Sequence, residues 1–190
     1  MEKVKSRPTS EWLATQKALM SAIGFNEDDL EANRGGYMSK KQRAMLSRDR
    51  ADWLNWLSVI IVVVAGSFVF LLFNSLRESP ESFGNFVRMI GFFCLVGGLL
   101  SFFMWNKYFR LNDDLHKGDV FIAEGSATIY IAKSQDKYSE VYTYHVDIQD
   151  QCFTVDQAVY AAFKYGEPYA IYYAPFSKTI LSAEWLRRNG

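Results

Sequence analysis

The sequence predicts an α+β membrane protein: a two-helix transmembrane hairpin joined to a small cytoplasmic, mostly-β domain of SH3- or OB-like type. Three observations lead there. Residues 53–109 carry two long apolar runs, residues 1–52 are polar and heavily charged, and residues 110–190 alternate apolar with polar positions. The chain has 190 residues, room for one ordinary domain or for a small domain plus membrane segments. The resulting plan is a helical N-terminal segment at 1–52, a hairpin at 53–109 with spans 53–73 and 86–105, and a β-domain with one short helix at 110–190.

The first apolar run, Trp53 to Phe73, contains no charged residue. At about 1.5 Å per residue it reaches roughly 30 Å, the thickness of a hydrocarbon core. The second, Met89 to Trp105, is shorter; Phe86 and Val87 extend it, with Arg88 free to snorkel. Neither run has the polar stripe of a half-exposed soluble helix. Small residues (Ala65, Gly66 and Ser67 on the first run, Cys94, Gly97, Gly98 and Ser101 on the second) are expected to let the spans, or a partner helix, approach closely. No Asp, Glu, Lys or His lies at mid-run, which argues against a proton relay or ion path.

The flanks set an orientation. Lys40, Lys41, Arg43, Arg48 and Arg50 precede the first run, whereas the connector holds only Arg77 against Glu78 and Glu81. The positive-inside rule then places the protein in a cytoplasmic (inner) membrane as a multi-pass chain with both termini cytoplasmic. Trp53, Trp56 and Trp105 fall where the spans meet the cytoplasmic interface. No cleaved leader is expected, because the first apolar run starts near residue 53.

Before the spans, Ser10 to Gly24 reads as an amphipathic helix with Trp12, Leu13, Leu19, Met20 and Ile23 on one broad face. Asn26 caps a short acidic helix that Gly35 and Gly36 close. Ser39 with Gln42 three residues later makes a capping box, so a further helix begins at Lys40.

The stretch from Asp28 to Leu46, "DDLEANRGGYMSKKQRAML", resembles a segment of uncharacterised bacterial two-span membrane proteins. There a Leu-x-x-Asn-Arg-x-Gly-x-Leu-Ser pattern precedes a helical hairpin. The matching positions are Leu30, Asn33, Arg34, Gly36, Met38 and Ser39, with Met in place of Leu. The resemblance covers about a tenth of the chain. It implies a bacterial membrane protein and brings no functional residue with it.

Beyond Gly118 the periodicity is that of strands: 119–125, 126–134, 140–148, 167–175 and 178–186, with a helix near 155–166 capped by Asp156 and stopped by Gly166. The order β-β-β-α-β-β suits a small barrel. Nine of the eleven tyrosines lie here, Tyr138 among them. Tyrosine combines a large apolar area with a polar tip, so Tyr142, Tyr144, Tyr169, Tyr172 and Tyr173 form the expected interaction surface; strand packing is the plainer use of the same residues.

Several chemistries lack support. Lys plus Arg and Asp plus Glu both number 21, and no basic face carries stacking aromatics, so nucleic acid is not an expected partner. The two cysteines, Cys94 and Cys152, supply no disulfide framework, and His116 and His145 are the only histidines, so no metal or other cofactor is expected. His145 near Asp147 is the nearest thing to a catalytic pair, and no serine is marked as its nucleophile. The expected function is therefore a membrane-anchored structural or interaction protein that presents the β-domain to a protein partner or a second copy. The alternative is a ligand or lipid-headgroup sensor with a tyrosine-rich pocket. The lipid bilayer is a partner in both.

Overall fold

The computed structural model describes residues 10–75, 80–136 and 139–186. Arg77, Glu78 and Tyr138 lie outside the described residues, as do the side chains of Phe86, Val87, Arg88, Cys94 and Ser101. The elements are α1 (Ser10–Ile23), α2 (Glu27–Arg34), α3 (Lys40–Ser75), α4 (Pro80–Lys117), β1 (Phe121–Ser126), β2 (Thr128–Asp136), β3 (Ser139–Ile148), β4 (Gln151–Val155), α5 (Gln157–Ala162), β5 (Pro168–Tyr173) and β6 (Ile180–Trp185). The chain divides into two compact units, one formed by the residues up to Arg43 together with those from Lys117 onward, the other by Ala44–His116.

In the first unit the caps fall where local chemistry asks for them. Asn26 accepts from Asp29 N–H at 2.8 Å while the Asp29 carboxylate accepts from Asn26 N–H at 3.0 Å, so α2 opens on a reciprocal capping box. Ser39 and Gln42 do the same for α3, at 3.0 and 3.1 Å. Asp156 accepts from Val159 N–H at 2.8 Å and starts α5. Gly118, which links α4 to β1, sits at φ +68° with the Arg43 guanidinium against it; a Cβ there would lie 2.4 Å from that group. The positive φ is what favours glycine there, since the flexible guanidinium could move aside but the dihedral would strain any other residue.

The six strands form two antiparallel sheets of three, in the orders β1-β5-β6 and β2-β3-β4. This corrects the expectation of one small SH3- or OB-like barrel. No ladder joins the sheets among the described residues. The cause is local: Ala127 gives its N–H to Glu167 O and its carbonyl to Gly166 N–H, both at 2.8 Å. The chain is thereby diverted after β1, and β2 turns away to pair with β3 instead of closing on the first sheet. β4 is a strand that the sequence did not announce. It follows β3 through a tight turn at Gln149–Asp150, with Gln149 at φ 56°. A left-handed glutamine carries none of the glycine signal by which hairpins are recognised.

One core serves both sheets. Val146, Ile148 and Phe153 from the second meet Ala123, Ile171 and Ala183 from the first, with Leu19 and Leu30 packed in from the helices. The rings of Phe153 and Tyr173 lie 5.1 Å apart, edge to face, across the boundary. α1 and α2 lie on β6. Trp12 Nε1–H donates to Trp185 O at 3.0 Å, and the Gln16 amide bonds both Ala183 O and Trp185 N–H.

In the second unit, the hairpin of two packed spans is not what the structure shows. Among the described residues one helix, Lys40–Phe70 within α3, is long and apolar enough to cross a bilayer. α4 continues its helix well past the apolar run into charged residues at its end, and no stretch of it among the described residues qualifies as a span. The glycines among the small residues expected to seat one span on the other do not do so. A Cβ added at Gly66, Gly97 or Gly98 would meet no atom within 4 Å. The contacts described near the helix ends are a hydrogen bond from Arg50 to Asn112 Oδ1 at 2.9 Å and the Lys107 ammonium 4.4 Å over the Trp53 ring.

Candidate functional site

The segment Leu30 to Ser39, singled out above by its pattern, ties the N-terminal helices to β6. Asn33 and Gln42 are nearly fully buried and exchange paired amide bonds at 2.8 and 2.9 Å. The pair is closed by Ser182 Oγ donating to Asn33 Oδ1 at 2.6 Å, by Gln42 Nε2 donating to Leu181 O at 3.0 Å, and by Asn33 Nδ2 donating to Tyr37 O at 3.1 Å. Leu30 and Met38 are buried beside it, and Gly36 takes φ +83° to end α2. Each residue of the pattern thus has a packing or hydrogen-bonding task. Asp29 completes the clasp: burial pushes its carboxyl up, but bonds from Ser39 and from the Asn26 N–H, with the Lys41 ammonium at 3.4 Å, outweigh that and hold it below the usual range.

The tyrosines divide. Tyr169, Tyr172 and Tyr173 are buried on β5 and fill the core, so they offer no outward patch. Burial holds the Tyr172 hydroxyl well above the usual phenol range, and its bond to Glu184 Oε1 at 2.6 Å adds to this. The same carboxylate takes the Arg34 guanidinium in an ion pair. Tyr142 is half exposed, bonded to Glu140 at 2.6 Å, and Tyr144 leans on Tyr160 with centroids 5.1 Å apart. These two are placed where a partner could reach, but they are not continuous with the three on β5.

The outer face of β2-β3-β4 carries the remaining chemistry. Register puts Tyr130 beside His145, and Cys152 beside Asp147. Tyr130 stacks on the imidazole at 4.9 Å, while Cys152 Sγ lies 3.6 Å from His145 Nδ1 and 3.7 Å from the Tyr130 hydroxyl. An activated thiol needs cationic surroundings. Here the neighbouring Asp147 carboxylate, with burial, pushes the cysteine up. The carboxylate therefore opposes thiolate formation instead of orienting an imidazole base. Among the described residues no group of three His, Cys, Asp or Glu could hold a metal. We expect Cys152, in a Cys94→Ala background, to react with iodoacetamide at neutral pH several-fold more slowly than free cysteine, roughly fivefold. Asp147→Asn should restore most of that rate; unchanged alkylation on removing the carboxylate would refute the assignment.

Between α1 and α2 lies a cavity of about 720 Å³. Leu13, Lys17 and Met20 line it from α1, and Glu27, Leu30, Glu31 and Arg34 from α2. Sequence reasoning placed Leu13, Leu19 and Met20 on one face of α1. The structure separates them: Leu19 is fully buried in the core, whereas Leu13 is 52 % exposed at the cavity.

The residues expected at the membrane interface are variously engaged. Lys40, Arg48, Trp56 and Trp105 are exposed, and Trp105 meets Phe109 edge-on at 4.8 Å. Lys41 reaches Gly24 O at 2.8 Å, Arg43 lies on Gly118, Arg50 holds Asn112, and Trp53 lies under Lys107. Beyond them Val62, Val69 and Phe70 are each about two-thirds exposed, and none of the most apolar stretch of α3 is buried within the chain.

Compared with models of protein families, with curated proteins and with solved structures, the chain finds no match.

Proposed function

We propose that this chain is a membrane-anchored structural or interaction protein, held to a cytoplasmic membrane through α3 and presenting the unit built around the two sheets to a protein partner. The observation that carries the reading is the uncovered apolar surface of α3. A soluble monomer rarely leaves a continuous apolar surface of that size in water, so lipid or protein must cover it. A second observation supports the presentation of one unit. Residues on both sides of Ala44–His116 fold together in one unit, sharing the Asn33–Gln42–Ser182 network, so a partner would meet them as a single surface. The basic residues Lys40 to Arg50, just before the apolar stretch, favour the cytoplasmic side.

The test is the native mass of the protein extracted from its own membranes in mild detergent. We expect a defined complex with stoichiometric co-purifying subunits. A lone monomer would refute the interaction reading, and recovery in the soluble fraction without detergent would refute the anchor.

A further inference from the structure

The cavity between α1 and α2 has an apolar bed and a charged rim, and none of the described residues fills it. Leu13 and Met20, seven residues apart on α1, face Leu30 across it. On the α2 rim Glu27 and Glu31 are exposed, one helical turn apart, and take part in no ion pair among the described residues. Arg34 at the end of the same rim is already neutralised by Glu184. Lys17 stands alone on the α1 side. The trough therefore presents acid along one wall and a single base on the other.

We propose that this groove is the docking site for an amphipathic helix of a partner protein. Its apolar face would lie on Leu13, Met20 and Leu30, with two Lys or Arg four residues apart facing Glu27 and Glu31. The inference rests on the interaction reading above and adds the site and the chemistry of the partner. A trough between two helices accepts a third helix along its length, with apolar anchors repeating every three or four residues. The matched four-residue spacing of the carboxylates fixes the register of the incoming bases. An anionic bilayer surface does not fit, because Glu27 and Glu31 would repel it. Charge complementarity at a rim of this kind chooses between partners more than it adds raw affinity.

The experiment uses the full chain in phosphatidylcholine nanodiscs and two fluorescent helical peptides of about eighteen residues, five turns. They share one leucine face and differ only in carrying Lys or Glu at the paired flanking positions. Anisotropy is read against empty nanodiscs. The lysine peptide should bind about tenfold tighter than the glutamate peptide. Glu27→Lys with Glu31→Lys should reverse that preference, and Leu13→Asp should weaken both. Equal affinities, a preference that survives charge reversal, or no binding above empty discs would overturn the proposal. A dimer that excludes both peptides would assign the groove to a second copy and also overturn it. Failure to enter the nanodisc would count against the anchor alone, since the same titration in mild detergent still reads the groove.

Discussion

Asn33→Ala should lower the midpoint of thermal unfolding by roughly 10–20 °C, the equivalent of about 3 kcal/mol for a unit of this size. The cost comes from what is left behind more than from what is removed. Without the Asn33 amide, the Gln42 side chain loses both halves of its paired bond and Ser182 loses its acceptor, all in a site closed to water. Buried polar groups without partners are far more costly than the net value of the bonds they made. The network also joins α2 and α3 to β6, so its loss frees the N-terminal helices from the sheet. Tryptophan fluorescence should report this, because Trp12 and Trp185 meet at that seam. Asn112→Ala, whose partner Arg50 is a longer side chain in the other unit, should shift the midpoint by no more than a degree or two. A similarly small shift for Asn33→Ala would remove the clasp from the account of stability.

The same seam makes the unit acid-sensitive in a definite direction. Because the folded Asp29 carboxyl titrates below its unfolded counterpart, its stabilisation is fully present above the unfolded value of about 3.9. It is lost as pH falls through the lower, folded value. Wild type should therefore lose stability below about pH 4 more steeply than Asp29→Asn, which no longer titrates there. Parallel curves for the two proteins would show that the carboxylate is not linked to folding.

Arginine at both Val62 and Val63 should move the protein from the carbonate-resistant membrane pellet to the supernatant. Each charge placed at mid-span costs about 2.5–3.5 kcal/mol on insertion scales, so two together outweigh the hydrophobic gain of several leucine-like residues. Val62 and Val63 are 69 % and 60 % exposed, so the change disturbs no packing within the chain. Leucine at the same two positions should leave the fractionation unchanged. If the arginine protein stayed in the pellet, α3 would not lie in lipid, and its apolar surface would need a protein cover instead. The clasp sits in the other unit, so circular dichroism of its sheets should be the same in all three proteins.

Much of the local structure was legible because it depends on neighbours in the chain. The caps at Asn26, Ser39 and Asp156 follow from side chains that reach a backbone N–H only three residues away. The long apolar stretch of α3 is legible for a similar reason, since it follows from composition and helix length alone. What failed had long-range causes. The spans 53–73 and 86–105 read as a hairpin from their apolar runs, with small residues expected to let them or a partner helix approach closely, yet Gly66, Gly97 and Gly98 face open space. Whether they are used depends on a partner surface, which no single segment encodes. The tyrosines read as a surface because a large apolar ring with a polar tip suits a binding patch. β5 is a central strand covered on both faces, so neighbouring Tyr172 and Tyr173 are both buried.

The division for this protein follows from the range of the forces. By itself the sequence determined where α2, α3 and α5 begin, that a charged N-terminal part precedes apolar runs, and that the last third is mostly strand; these rest on periodicity and on bonds within one turn of chain. Only the tertiary structure decided that there are two sheets, that Asn33, Gln42 and Ser182 meet, and that Glu27, Glu31 and Leu13 border one groove. Those outcomes depend on residues up to 149 positions apart finding each other in a shared core, and the pairing energy belongs to the assembled fold.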